Sequence, residues 1–182
     1  MYGLDKAGEG IAVFERAAAG DRRLVAVKPK NVPLNLMLMR AEWRVAYCHL
    51  ARRDFAASQA SLDRLSAAVK QVGSAELQSF MDAVDQVARG DLDRLQNRSD
   101  SARAHYQEAV RLFSQSKGTS PKDPSDLFNL LEPKFRIAQL AHDQSALKEI
   151  GATYRKFGGR KEVHRYAANW IDDLDAVANQ KH

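Results

Sequence analysis

The sequence predicts an all-α fold, in which antiparallel helix pairs stack into a superhelix or solenoid of about eight helices. Three observations predict it. Helical periodicity runs through almost all 182 residues, with no strand pairs, heptad run or low-complexity tract to compete with it. In the stretch ARGDLDRLQNRSDSARAHYQEAVRLF, Gly90 on one helix is followed by Ala102, Tyr106 and Ala109 on the next. That spacing places small residues where two antiparallel helices must pack closely. The pattern also recurs. Gly10/Phe14/Ala17, Ser58/Leu62/Leu65, Ala102/Tyr106/Ala109 and Ile150/Tyr154/Phe157 set their central residues 48, 44 and 48 positions apart. Small residues Ala46, Gly90 and Ala138 each precede their partner by 12.

The elements follow in order. Leu4, Ile11, Phe14 and Ala18 recur near helical spacing and predict a first helix ending around Gly20. The stretch DRRLVAVKPKNVP carries two prolines and reads as a connector, although LVAV could extend a helix or make a short extended piece. Pro33 suits the first turn of a second helix through LNLMLMRAEWRVAYCHLARR. Asp54 caps a third, whose apolar stripe is Phe55, Leu62, Leu65 and Val69. Gly73 ends that helix and Ser74 caps the fourth, where Leu77, Phe80, Met81, Val84, Val87, Ala88 and Leu95 share one side. Ser99 or Asp100 starts the fifth, which runs to about Ser116. After the turn region KGTSPKDPSD, a sixth helix carries Leu127, Leu130, Leu131, Phe135, Ala138 and Leu140, with Pro133 able to kink it. A seventh spans Ser145 to Phe157, the pair Gly158-Gly159 breaks the chain, and KEVHRYAANWIDDLDAVA forms an eighth. The whole chain, 1–182, is expected to be a single domain.

On these residues the chain resembles a tetratricopeptide-repeat protein, most clearly over 83–116. Its repeats exceed the minimal 34-residue unit, and so resemble the extended arrays of kinesin light chains and bacterial regulators. In the clearest repeat the family's Trp slot holds Gln86, its Leu slot Arg89 and its Tyr slot Asp93. The chain opens on a lone second helix. Either its partner belongs to a larger protein from which this chain is a piece, or the helix acts as a cap. The resemblance implies a scaffold whose first helices line a concave groove. The family's carboxylate clamp needs Lys, Asn and Arg positions that have no match here.

Composition narrows the function further. Basic residues exceed acidic ones by 28 to 23, a mild net charge of +5 compatible with an acidic partner or with a solvated face. Cys48 is the one cysteine, so no internal disulfide forms, and it reads as a small buried hydrophobe. No apolar run spans a bilayer and the N-terminus has no secretory pattern, so a cytoplasmic setting is expected. Gly8 and Gly10 begin a glycine-rich pattern, but Val13 stands where a third glycine would be needed. His49, His105, His142, His164 and His182 are scattered without ligand spacing. Asp172, Asp173 and Asp175 read as solvating a terminal helix. No enzyme, metal or cofactor is expected.

Binding is the remaining reading. Arg40, Trp43, Arg44 and Tyr47 follow i, i+3, i+4, i+7 spacing, so one helix face carries two guanidiniums beside two aromatics. Such a face could hold an acidic peptide or partner helix. Alternatively the rings are core and the arginines extend outward from it. A second cluster, Arg155, Lys156, Arg160, Lys161 and Arg165 with Tyr154 and Tyr166, could meet phosphates, but nucleic acid is not the expected partner. The sequence-level expectation is therefore a protein-interaction scaffold. The alternative is a regulatory or sensory module of a larger bacterial transcription regulator or kinase.

Overall fold

The computed structural model describes residues 4–117, 124–156, 172–174 and 176. These residues are helical apart from short turns, and no strand occurs among them. The helices are α1 (Leu4–Val27), α2 (Val32–Ala51), α3 (Phe55–Gln71), α4 (Ala75–Leu95), α5 (Ser99–Lys117), α6 (Pro124–Leu140) and α7 (Gln144–Lys156). Of the expected eighth helix only 172–174 and 176 are described, and they are helical. The rest of that helix, the Gly158-Gly159 break and residues 118–123 of the turn region lie outside the described residues. No described helix is long and apolar enough to cross a membrane.

Cap chemistry sets most boundaries. The side chains of Asn31, Asp54, Ser74 and Asp143 accept hydrogen bonds from the backbone N–H of Leu34, Ala57, Leu77 and Ala146 at 3.1, 3.2, 3.3 and 3.0 Å. Each satisfies a donor that the first turn leaves without an intrahelical partner. The expected end of α1 at Gly20 is corrected, because the helix continues to Val27. An interior glycine weakens a helix by only about 1 kcal/mol. Ala18 and Val25 on either side of it are buried in the core, which outweighs that penalty. The real stop is Pro29, which disfavours helical backbone at Lys28.

Three turns share one geometry. Arg53, Asn97 and His142 adopt positive φ of 59°, 60° and 53°, 44 and then 45 residues apart. In each, the next residue donates its backbone N–H five residues back: Asp54 to His49, Arg98 to Asp93 and Asp143 to Ala138, at 2.9 to 3.0 Å. This closes the preceding helix in a left-handed cap and turns the chain directly into the next one. The connections from α2 to α3, α4 to α5 and α6 to α7 thus share one turn geometry. Counted from these turns, Ala46 and Gly90 occupy the same position in the first two hairpins, as do Ser58 and Ala102. In the third hairpin those positions belong to Phe135 and Leu147, three residues earlier than the sequence spacing of Ala138 and Ile150 suggested.

The chain divides into two compact units, one within residues 2–102 and one within 103–182. In the first, α1 and α3 pack on α2, and α4 packs on α3 and α2. Met39, Leu62, Leu65 and Val69 are at most 1% exposed at its centre. The α2/α3 contact is close: the Ser58 hydroxyl donates 3.0 Å to the Ala46 carbonyl across the helix pair. Likewise, a Cβ on Gly10 would lie 3.2 Å from Cys48 Sγ, so α1 approaches α2 at a glycine. Ala46→Leu is expected to destabilise the chain by about 1–3 kcal/mol through overpacking. Ala51→Leu, at the exposed end of the same helix, should stay within about 0.5 kcal/mol. Urea unfolding of the two variants measures the difference.

In the second unit α6 packs on α7 around Phe135, Tyr154 and Leu174. Phe128 meets Tyr154 edge-on at 5.7 Å. The α6 helix passes through Pro133, which forgoes one backbone bond. On α5 the expected stripe is buried, with Ala102, Tyr106 and Ala109 all at 0% exposure and Phe113 at 3%.

Candidate functional site

The α2 helix is covered on part of its circumference and open on the rest. Its buried residues Leu38, Met39, Ala46 and Leu50 belong to the core cluster. Trp43 and Tyr47, one turn apart, meet with ring centroids 4.9 Å apart and planes tilted by 57°. Both are half-buried and pack against that cluster. The Tyr47 hydroxyl donates 2.9 Å to Asp91 Oδ2 on α4. The Arg44 guanidinium lies 5.3 Å from the Phe14 ring of α1. Arg40 is exposed. Of the four residues the sequence put on one face, two rings are thus brought together at the core edge. One arginine reaches α1, and one faces solvent.

The other predicted clusters are placed differently. Tyr154 is only 1% exposed, inside the core rather than beside the basic residues at the end of α7. Arg160, Lys161, Arg165 and Tyr166 lie outside the described residues. Asp173 does more than solvate a helix: its carboxylate accepts 3.1 Å from Arg136 Nη1, and Arg136 is 3% exposed. Cys48 is half-buried against α1, and burial pushes its thiol pKa up, which keeps it protonated. Among the described residues no group of His, Cys, Asp or Glu is arranged to hold a metal.

Positions that the resemblance gives to apolar residues hold paired ions. Arg89 donates to Asp85 on its own helix at 2.9 Å, and to Asp63 and Ser66 on α3 at 3.1 and 2.9 Å. Asp93, 6% exposed, accepts from Arg98 Nε at 3.0 Å and from the Ser101 hydroxyl, which fixes the turn into α5. The buried Asp85 and Asp93 are each paired with an arginine and hydrogen-bonded through at least one oxygen, the condition under which such groups persist in an interior.

Sequence reasoning passed over Glu42. It is 1% exposed, in line with Leu38, Val45 and Ala46 on the covered side of α2. One carboxylate oxygen accepts from Arg22 on α1 and the other from Arg64 Nε on α3 at 2.9 Å. Arg64 Nη2 also donates 2.8 Å to Ser61. Beside this bridge is a cleft of about 390 Å³. Glu15, Ala18, Ala19 and Arg22 form one wall, Glu42 and Val45 the floor, and Arg64 the other wall. Arg40 and Tyr47 lie roughly 140–160° around α2 from Glu42, so the cleft and the aromatic surface are on different sides of one helix. The available signal was an acidic residue inside an apolar helical stripe, where an uncompensated charge would be prohibitive. No family model matches the chain, and neither a curated protein nor a solved structure shows significant similarity to it.

Proposed function

We propose that this chain is a tetratricopeptide-like interaction scaffold, without catalytic activity, whose α2 surface receives an acidic peptide or partner helix. The observation that carries the reading is the exposed Arg40 on the same face as the Trp43–Tyr47 ring pair. A guanidinium at the rim of a rigid aromatic ledge suits a carboxylate next to an apolar anchor. Recurrence of the same turn at Arg53, Asn97 and His142 supports the repeat reading. The reading includes a cytoplasmic setting, which the half-buried, solitary Cys48 favours.

Fluorescence anisotropy against a display-selected set of Asp/Glu-rich peptides tests it. Arg40→Glu is expected to weaken binding about tenfold or more, mainly through slower association and with less salt dependence. Arg40 is the cleaner position to change, because Arg44 also holds Phe14. Unchanged affinity removes this surface from the interface. The second reading, a sensory module within a larger regulator or kinase, is favoured by a separate observation: the charged cleft between α1 and α3.

A further inference from the structure

We propose that the α1–α3 cleft is a binding site for the oxyanion group of a small ligand, a carboxylate or a phosphate, held by Arg22 and Arg64. This goes beyond the α2 surface and depends on none of its residues. Three features of the cleft support it.

The first is charge. Two guanidiniums meet one buried carboxylate, which leaves one positive charge in excess at the bridge. Glu42 carries a single negative charge and divides its two oxygens between them, one to each arginine. Glu15 on the wall is 54% exposed in its side chain and lies 3.8 Å from His49 Nε2. It sits two helical turns from Arg22, about 10 Å along α1, and makes no ion pair with either arginine.

The second is preorganisation. Arginine has five N–H donors. Glu42 engages Nη1 of Arg22 and Nε of Arg64, and Ser61 engages Nη2 of Arg64. Nε and Nη2 of Arg22 and Nη1 of Arg64 make no hydrogen bond among the described residues. The arginine side chains are 45% and 44% exposed, so these donors are within reach of a solute. A free surface arginine would lose much of its rotamer freedom on binding. Here the Glu42 anchor has already fixed both side chains in the folded state. An incoming oxyanion therefore meets a positioned fork, Nε and Nη2 of Arg22, with Nη1 of Arg64 as a further donor, and bidentate charge-assisted bonds of this kind to carboxylate or phosphate are the strong ones.

The third is shape. Ala18, Ala19 and Val45 give the cleft a small apolar surface next to the two cations. Its volume of about 390 Å³ is within the range of small-molecule sites and too small for a folded partner. A short carbon skeleton beside Ala19 with its acidic end on the arginines is the ligand the cleft fits.

The test uses the full chain, with sodium succinate and sodium phosphate as probes against sodium chloride at matched ionic strength. Thermal unfolding is expected to shift upward by about 2–4 °C or more, with saturation, in at least one oxyanion and not in chloride. A larger shift with succinate assigns a carboxylate ligand, and a larger shift with phosphate assigns a phosphorylated one. Calorimetric titration below the transition should then show at least tenfold weaker binding for Arg22→Gln and for Arg64→Gln. Arg23→Gln, an exposed neighbour on α1, should match the unaltered chain. If either glutamine variant fails to fold, Arg22→Lys and Arg64→Lys keep the charge while removing the fork, and the same loss is expected. An equal shift in chloride, no shift in either oxyanion, or binding retained in both arginine variants overturns the proposal.

Discussion

Phe135→Ala is expected to lower folding stability by about 3–5 kcal/mol. The ring is fully buried between Leu127, Phe128 and Leu131 of its own helix and Leu147, Ile150 and Tyr154 of α7, with Leu174 in the same cluster. Truncation removes the transfer energy of the ring and leaves a cavity that surrounding helices can only partly close. The turn register adds a reason to expect the upper part of that range. Phe135 stands where the other two hairpins carry Ala46 and Gly90, and opposite it the chain has Leu147 and Gly151 in place of Ser58/Leu62 and Ala102/Tyr106. The third hairpin has moved its bulk from the second helix to the first. No aromatic residue at Gly151 can fill the space that alanine would vacate. Hydrogen exchange in α6 and α7 is the appropriate measurement, because it reads this unit directly without assuming one transition for the whole chain. A loss of protection worth less than about 1 kcal/mol would show that the ring is not a core residue.

The same comparison shows what is legible in the sequence. Helix existence, the caps at Asp54 and Ser74 and the buried face of α5 all follow from contacts within a few residues. Local signals are sufficient there. The end of α1 is not legible in this way, because Gly20 is locally weak while the burial of Val25 that carries the helix onward is a tertiary event. The register of the third hairpin escapes the sequence for a different reason. Ala138 and Ile150 are themselves buried, so their spacing satisfies the pattern, and only the left-handed residue His142 fixes the count. The four residues proposed on α2 do share a region, yet their spacing could not show that Arg44 is drawn to Phe14 or Tyr47 to Asp91. Glu42 stands out in the sequence only as an acid in an apolar stripe, and its partners are not legible because they lie 20 and 22 residues away along the chain.

Glu42→Gln is expected to destabilise the chain by about 2–4 kcal/mol, and to do so at least as much as Glu42→Leu. The carboxylate joins three helices, accepting from α1 on one oxygen and from α3 on the other while its own backbone belongs to α2. Glutamine keeps the shape but offers one acceptor where two are needed. It also turns an amide N–H₂ toward a guanidinium, so a buried donor loses its partner as two cations lose their counter-charge. Leucine leaves no buried polar atom, and an apolar replacement for a buried ion is often close to neutral when its partners can be rehydrated. Arg22 and Arg64 can be, since each keeps nearly half its side-chain surface in water. That exposure also sets the expected range about 1 kcal/mol lower than the 3–5 kcal/mol typical of breaking a wholly buried pair. The two variants therefore separate a charge that clamps the helices from one that is merely tolerated. Urea unfolding gives the order, and faster hydrogen exchange in α1 locates the effect. Glutamine within about 1 kcal/mol of the unaltered chain, or leucine clearly the worse of the two, would mean that Glu42 acts through its volume and not through its charge.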